Sequence, residues 1–173
     1  GLSGCRVRSS DASACHTGQA ERSPVDLDIV IKEALDLLSN RLKEQRCQLN
    51  YVAAGKGLSV FAEPIRLEQV LVNLISNSID AMDNCQTRTL DIQVLETGQE
   101  VQVDISDSGI GIPQNQMALI FDPFFTQKEV GKGLGLGLSI SYNIIQDFGG
   151  HIRVQSTEGL GSCFTLILQK AKH

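Results

Sequence analysis

Three short blocks of sequence constrain this chain more than any other feature. The first, residues 73–80, carries two asparagines four residues apart; the second, residues 107–113, places an aspartate beside two glycines; the third, residues 131–139, reads Gly-Lys-Gly-Leu-Gly-Leu-Gly-Leu-Ser. A helix that presents carboxamides, a carboxylate at a glycine turn and a glycine run that opens a helix are together the parts of a Mg-ATP site. Each block is weak evidence alone, and their order is specific.

Composition limits the kind of domain that carries these blocks. With 173 residues, 42% of them hydrophobic and 20% charged, the chain is expected to bury one core and to form one domain. The net charge of −5 and the lack of a Lys/Arg cluster argue against nucleic-acid binding. No apolar stretch approaches the ~20 residues of a membrane helix, and residues 1–20 lack a secretory signal. We therefore expect a soluble, cytoplasmic domain.

The cysteines do not indicate a metal site. Cys5, Cys15, Cys47, Cys85 and Cys163 are odd in number and show no CxxC spacing. Reduced thiols in a cytoplasm are the favoured interpretation, and a zinc site is disfavoured.

The chain divides into a tail and one folded unit. Residues 1–24, rich in Ser, Gly, Ala and Arg, are predicted to be a tail, a linker or the end of an upstream element. Residues 25–173 alternate helical and strand patterns, beginning with an amphipathic helix that Asp26 caps and that ends near Gln45. Two further helices are predicted, from Pro64 to about Asn84 and over 136–148. The predicted strands cover residues 47–53, 58–62, 90–95, 101–106, 152–156 and 162–168.

These elements predict three helices against a mixed, largely antiparallel sheet, an α/β (α+β) two-layer sandwich. A short helical piece is expected over residues 114–120. Between Phe121 and Gly135 the periodicity fails while Pro, Gly, Lys and paired Phe accumulate. That composition predicts a loop that changes shape over a site.

The second helix has one apolar and one polar face. At 100° per residue its leucines, valine and isoleucine lie opposite an arc that contains Asn73, Asn77 and Asp80. A merely solvated polar face is the plain alternative, although Asn is a mediocre helix former. Amide oxygens are hard neutral ligands, so Asn77 is a candidate Mg2+ ligand whose partners are phosphates and water.

The other two blocks complete the predicted site. Asp107 is a candidate acceptor for the exocyclic amine of adenine, which guanine lacks at that position; a simple turn former is the alternative. The glycine run lets the backbone approach phosphates at a helix N-terminus. Lys128 and Lys132 are candidates for charge stabilisation at the terminal phosphate, or else solvated lysines. Neither the GxxxxGK[ST] pattern nor a complete GxGxxG pattern is present.

Taken in order, these motifs resemble the ATP-binding catalytic domain of bacterial two-component sensor histidine kinases, within the superfamily of gyrase B, MutL proteins and the ninety-kilodalton heat-shock chaperone. The likeness covers about residues 25–170: an N box over 68–77, a G1 box over 107–111, an F box over 120–126 and the G2 box GLGLGLSI. Residues 124–133 look most like the branch of nitrogen-regulatory and C4-dicarboxylate-transport sensor kinases.

This resemblance implies a Bergerat-type ATP-binding fold with ATP and Mg2+ as cofactors. It implies that Asn73 and Asn77 handle Mg2+ and phosphates, that Asp107 reads adenine, and that residues 126–137 form a mobile ATP lid. Thr165 matches a position that supports adenine through water. Asp80 departs from the basic residue that many histidine kinases carry there, and Gln127 replaces a commoner Thr. The other expected nucleotide-binding residues are Gly109, Gly111, Ile112, Phe121, Thr126, Lys128, Lys132, Gly133, Leu134, Gly135, Leu136, Gly137 and Leu138.

The implied activity is transfer of the γ-phosphoryl group of ATP to a histidine on a separate dimerisation domain. Asn73 and Lys128 are the expected catalytic residues; an amide at 73 is a poor general base, which suits transfer rather than hydrolysis. His16, His151 and His173 lack the context of an acceptor. The chain is thus expected to be a fragment, with residues 1–24 a remnant of the dimerisation helix.

Partners and alternatives follow from the same resemblance. The expected partners are the dimerisation domain of the full-length protein and, indirectly, a response regulator; the isolated domain is expected to be monomeric, and the parent a homodimeric inner-membrane sensor. A non-catalytic ATP/ADP-sensing module and an ATPase of the same superfamily are the alternatives.

Overall fold

The computed structural model describes residues 21–126, 128 and 135–172. A short 3-10 turn covers Gln114–Gln116. The helices are α1 Leu27–Leu37, α2 Ser39–Glu44, α3 Pro64–Ala81 and α4 Gly137–Asp147. The strands are β1 Ser23–Asp26, β2 Gln48–Val52, β3 Ser59–Ala62, β4 Thr89–Thr97, β5 Glu100–Asp107, β6 His151–Thr157 and β7 Gly161–Gln169.

A five-stranded sheet in the order β2-β4-β5-β7-β6 forms one layer of the domain. All of its pairs are antiparallel except the edge pair β2–β4. The two longest pairings, β4–β5 and β5–β7, place residue 107 beside both Leu90 and Ser162. A mixed, mostly antiparallel sheet packed against helices is confirmed.

The first helix differs from its prediction because it breaks at Leu38. This residue leaves helical geometry, with φ −101° and ψ 5°, and separates α1 from α2. The residues that follow, Ser39 and Asn40, have low helix propensity because their side chains compete for backbone hydrogen bonds. The single predicted helix is therefore two, and the described part of the chain holds four α-helices rather than three. The predicted cap is confirmed: the carboxylate of Asp26 accepts a hydrogen bond from the amide of residue 28 at 3.0 Å.

The start of the fold also differs in detail from the prediction. Strand β1 begins at Ser23, two residues before residue 25, where the predicted folded unit starts, and pairs antiparallel with β3. The strands on either side of residues 54–57 do not pair with each other, because β2 joins the edge of the large sheet while β3 joins β1. Nothing in the local pattern of alternation distinguishes these partners.

Helix α3 packs one side into the hydrophobic core and leaves its other side partly exposed. Leu67, Val70, Leu71, Leu74 and Ile75 are all fully buried on one side of it. The helix packs against α1 on one flank and α4 on the other. As its amphipathic pattern predicts, Asn73, Asn77 and Asp80 lie on the side away from this core, whereas Ser78 is buried.

Within the described residues, no helix combines the length and the apolar character needed to cross a bilayer.

Helix α3 offers a matched pair of variants that tests this packing. Leu74→Ala removes a fully buried side chain and should lower the free energy of unfolding by about 3 kcal/mol. Ile65→Ala, at a position on the same helix that is 78% exposed, should change it by less than about 0.5 kcal/mol. Urea unfolding followed by circular dichroism measures both. Equal losses would show that α3 is not oriented as described.

Candidate functional site

A cleft of about 510 Å3 opens between α3, the turn after β5 and the N-terminal end of α4. This volume lies within the range of small-molecule sites. Twelve of the predicted site residues line it, which are Asn73, Asn77, Asp80, Asp107, Gly111, Ile112, Thr126, Lys128, Gly135, Leu136, Gly137 and Leu138.

Asp107 supplies a buried carboxylate at one end of the cleft. It is 8% exposed, at the last position of β5, and its Oδ1 accepts a hydrogen bond from the amide of Gly109 at 2.9 Å. Burial raises the pKa of Asp107, while hydrogen bonds from the amides of Gly109 and Ser162 oppose that rise. The Ser78 hydroxyl also lowers this pKa, although no hydrogen bond of ordinary geometry links it to a described partner. The carboxylate is therefore oriented but incompletely compensated, as a group that awaits a donor would be.

The turn after Asp107 lies too close to its neighbours for any side chain at two positions. A Cβ at Gly109 would lie 2.7 Å from the carbonyl oxygen of Ala81, at the end of α3. A Cβ at Gly111 would lie 2.2 Å from the carbonyl oxygen of Thr157, and φ there is +69°. The amide of Gly109 thus holds the carboxylate of Asp107 in place, and Gly111 forms part of the cleft wall itself.

The two asparagines of α3 line the other end of the cleft. The amide nitrogen of Asn73 donates to the carbonyl oxygen of Gly137 at 3.4 Å and to Ser141 Oγ at 3.3 Å. These contacts connect α3 to the first turn of α4 and direct the amide oxygen of Asn73 away from α4. Asn77 follows one turn later and is part of the same wall.

Three charged side chains meet next to the asparagines. Asp80 accepts from Arg41 through Oδ1 at 2.5 Å and from Lys128 through Oδ2 at 2.6 Å. The guanidinium of Arg41, on α2, also donates to Ser76 Oγ at 2.6 Å. The basic position that the family resemblance expects on α3 is thus replaced by an acid that pairs with two cations from elsewhere in the chain.

A backbone hydrogen bond joins residues 124 and 135 beside the cleft. The amide of Phe124 donates to the carbonyl oxygen of Gly135 at 3.1 Å. Gly135 has φ +70°, and a Cβ there would lie 2.4 Å from the carbonyl oxygen of Phe125. Leu136 and Gly137 follow directly and begin α4, so its N-terminus faces the cleft.

Three predicted residues, Gly109, Phe121 and Thr165, are not in the lining of the cleft, and three others lie outside the described residues. Thr165 is a correction: side chains alternate along β7, so Ser162 and Phe164 face the cleft while Thr165 faces the other side and donates to Asp104 at 2.7 Å. Phe121 packs against Tyr142 on α4, with ring centroids 5.4 Å apart, instead of lining the cleft. The structure does not describe Lys132, Gly133 and Leu134.

Sequence reasoning missed several residues of the site. Ser162 lies opposite Asp107 in the β5–β7 register, and its backbone amide helps to lower the pKa of that carboxylate. Its position could have been found from the period of two, because the apolar residues of β7 at 164, 166 and 168 mark the inner face. Arg41 had no sequence signal, because its role depends on α2 packing beside α3. The remaining unpredicted lining residues are Ser76, Ala81, Ile110, Ile120, Phe125 and Phe164.

The described residues contain no group of three or more His, Cys, Asp or Glu side chains placed to hold a metal ion. Besides the Asp80 carboxylate, which pairs with Arg41 and Lys128, this wall offers the neutral amide oxygens of two asparagines, and these suit a hard cation whose negative ligands arrive with a second molecule. The donor set fits Mg2+ that is held jointly with phosphates.

The apolar walls, the buried acceptor and the polar end together define a nucleotide-binding domain of the two-layer α/β class. Residues 62–172 match the family described as "Histidine kinase-, DNA gyrase B-, and HSP90-like ATPase", and the chain belongs to this family.

Sensor histidine kinases are among the relatives. ZraS of Escherichia coli (strain K12) is 40% identical over 144 residues, which are 83% of this chain and 30% of ZraS. The C4-dicarboxylate transport sensor protein DctB of Rhizobium meliloti is 34% identical over 89% of this chain and 24% of DctB. This chain thus spans less than a third of either relative. The predicted likeness to C4-dicarboxylate sensors is confirmed.

Solved structures agree with the fold and the class. The catalytic domain of the histidine kinase ThkA has a TM-score of 0.77 and 32% identity, covering 87% of this chain and 96% of that domain. ThkA in complex with the response regulator protein TrrA has a TM-score of 0.73 and 28% identity, covering 87% of this chain and 42% of that one.

Gly98 and Gly111 have similar positive φ angles, but only Gly111 lies in close contact with its neighbours. Replacing each by alanine therefore distinguishes the energetic cost of the close contact from that of the backbone conformation. Gly98→Ala, at φ +64° with nothing within 4 Å of the added Cβ, should lower the free energy of unfolding by about 1 kcal/mol. Gly111→Ala should cost at least about 2 kcal/mol more, because its Cβ would collide with the carbonyl oxygen of Thr157. Urea unfolding measures the difference, and equal costs would contradict the close approach at Gly111.

Proposed function

We propose that this domain binds Mg-ATP and donates the γ-phosphoryl group to a histidine on a separate dimerisation domain. One observation carries the proposal: a single cleft has the buried carboxylate of Asp107 at one end and Asn73, Asn77 and Lys128 at the other. An acceptor for a base and a polar end for phosphates thus belong to the same cavity. The catalytic domain is taken as residues 25–173 together with the start of β1 at Ser23, and the residues before it as its link to the dimerisation domain.

The end of the cleft near Asp107 suits adenine. Ile110, Ile112 and Phe164 supply apolar walls for a flat ring. The free lone pairs of Asp107 accept a hydrogen bond from an exocyclic amine. Guanine would bring a carbonyl oxygen to the same place, and two acceptors would then face each other. The ionised carboxylate therefore selects adenine.

The opposite end suits the phosphates. Asn77, with Asn73 as a second donor, would hold Mg2+ through an amide oxygen, and when bound Mg2+ supplies charge neutralisation and orientation to the phosphates. Lys128 lies within reach of the same region. The glycines at the start of α4 expose backbone amides at a helix N-terminus, where negative charge is favoured.

The hydrogen bonds of Asn73 favour transfer over hydrolysis. Its amide nitrogen is held by Gly137 and Ser141, so its oxygen has a set direction, and an amide is too weak a base to activate water. The proposed catalytic roles are positioning for Asn73 and charge stabilisation for Lys128. In-line transfer to the nitrogen of a histidine then depends on positioning and charge, with ADP as the leaving product.

The proposed setting of the reaction is a two-component sensor. ThkA, a structural relative, forms a complex with a response regulator protein. For this chain we propose the dimerisation domain as direct partner and a response regulator as indirect partner. We propose a cytoplasmic site, a monomeric isolated domain and a homodimeric membrane sensor as its parent.

Asp107→Asn tests the adenine end. Loss of the charged acceptor should weaken ATP binding about 10- to 100-fold. Isothermal titration calorimetry at about neutral pH measures this change. GTP should bind the unaltered chain more weakly than ATP by a similar factor. Equal affinities for ATP and GTP would contradict the role of Asp107.

The pH dependence of the same binding provides a second measurement. Only the ionised carboxylate accepts well, and the pKa of Asp107 is raised, so ATP affinity of the unaltered chain should fall with decreasing pH before the ordinary aspartate value of 3.8 is reached. The Asp107→Asn variant should show a smaller decline, namely the part that protonation of the ATP phosphates causes. Matching pH profiles for the two chains would indicate that another group titrates.

A phosphotransfer assay tests the activity itself. The chain is mixed with the separately produced dimerisation domain of its parent and with ATP labelled at the γ-phosphate. We expect acid-labile label on a histidine of the partner, and about a tenfold or larger decrease in its rate for Asn77→Ala, with weaker dependence on Mg2+ concentration. Binding without label transfer would favour a sensing module, and phosphate release faster than transfer would favour an ATPase.

A further inference from the structure

The cluster of Arg41, Asp80 and Lys128 is a feature of the cleft that the proposed function leaves unexplained. A carboxylate on the wall that is expected to receive phosphates repels them, since like charges in a partly enclosed site raise the free energy of binding. The side chains of Arg41, Asp80 and Lys128 are 38%, 32% and 36% exposed. At this exposure the three charges remain accessible to a competing ion.

The geometry gives the two oxygens of Asp80 different partners. Oδ1 accepts from Arg41, whose guanidinium is also held by Ser76 Oγ at 2.6 Å. These contacts join α2 to α3 and fix the direction of the carboxylate. Oδ2 is left to accept from Lys128, at 2.6 Å.

Lys128 differs from Arg41 in how it is held. It lies between the two ends joined by the Phe124–Gly135 hydrogen bond, outside any helix or strand, and its amide donates to Thr126 Oγ1 at 3.0 Å. A lysine ammonium on a four-carbon stem exchanges partners readily, unlike a guanidinium held by two acceptors. Of the two pairs, the one to Lys128 is the exchangeable one.

Resting on the proposed function, we propose that Asp80 is an internal competitor for the nucleotide: it pairs with Lys128 in the empty cleft and releases it to a phosphate of ATP. Arg41 is the positioning residue that holds Asp80 for this exchange. The exchange makes affinity depend on the number of phosphates, because only a strongly anionic ligand compensates for the broken pair. It also couples the position of the Lys128 side chain to occupancy of the cleft.

The nucleotide-free form provides the first test. Trypsin cleaves after Lys128 only when its side chain leaves Asp80, so Asp80→Asn should accelerate this cleavage about two- to fivefold, as expected for loss of an exposed ion pair. Cleavage after Lys56, in the exposed turn at 54–57, provides an internal reference. Asp147→Asn, which removes the same charge from a pair with Arg66 at the far end of α4, is the matched control and should cleave as the unaltered chain does. Unchanged cleavage in Asp80→Asn overturns the proposal.

Affinities for ATP, ADP and adenosine provide the second test. Asp80→Asn should bind ATP about three- to fivefold more tightly, ADP by a smaller factor and adenosine equally, while Asp147→Asn changes none of them. In a Lys128→Met background the gain for ATP should shrink by at least half. Weaker ATP binding, a gain that extends to adenosine, or a gain undiminished in Lys128→Met each overturns the exchange.

These outcomes also separate the two proposals. If the unaltered chain binds no ATP, the proposed function fails together with the exchange, whatever trypsin shows. If it binds ATP without any dependence on Asp80, only the exchange is overturned.

Discussion

The site depends on one constraint, namely that helix α3 serves the core and the cleft at once. Its apolar side is fully buried against α1, α4 and the sheet, and its polar side forms a wall of the cleft. The same 3.6-residue period that sets Leu74 into the core sets Asn73 and Asn77 one turn apart on the other side. Packing energy therefore fixes the direction of the polar groups. The site needs no separate scaffold because the core provides it.

A second contact depends on the position of that helix. The turn after β5 rests on the last turn of α3, where the amide of Ile110 donates to the carbonyl oxygen of Ala81 at 3.0 Å. This bond satisfies a carbonyl at the helix end and, through Gly109, places the carboxylate of Asp107 beside the helix. Helix α3 thus sets the position of Asp107 at one end of the cleft and of the asparagines at the other. A shift of α3 against the sheet would move Asp107 and the asparagines relative to each other.

Local signals predicted much of this arrangement, and tertiary context explains what they missed. Asp26 as a cap, the period of α3 and the β4–β5 hairpin follow from neighbouring residues, so the sequence pattern was sufficient for them. The break at Leu38, the separate partners of β2 and β3, and the approach of Arg41 to Asp80 depend on residues distant in the chain. The prediction for Thr165 was wrong for a different reason: it followed the family motif and did not take into account that side chains alternate between the two faces of β7.

The hydrogen bond between Phe124 and Gly135 has an evolutionary consequence. This hydrogen bond fixes the distance between residues 124 and 135, whatever the number of residues that connect them. A longer connection adds only an entropic cost that grows with the logarithm of its length. Insertions or deletions between residues 124 and 135 therefore leave the start of α4 in the same position relative to α3. Natural selection can therefore vary the number and chemistry of the residues between 124 and 135 without moving the start of α4.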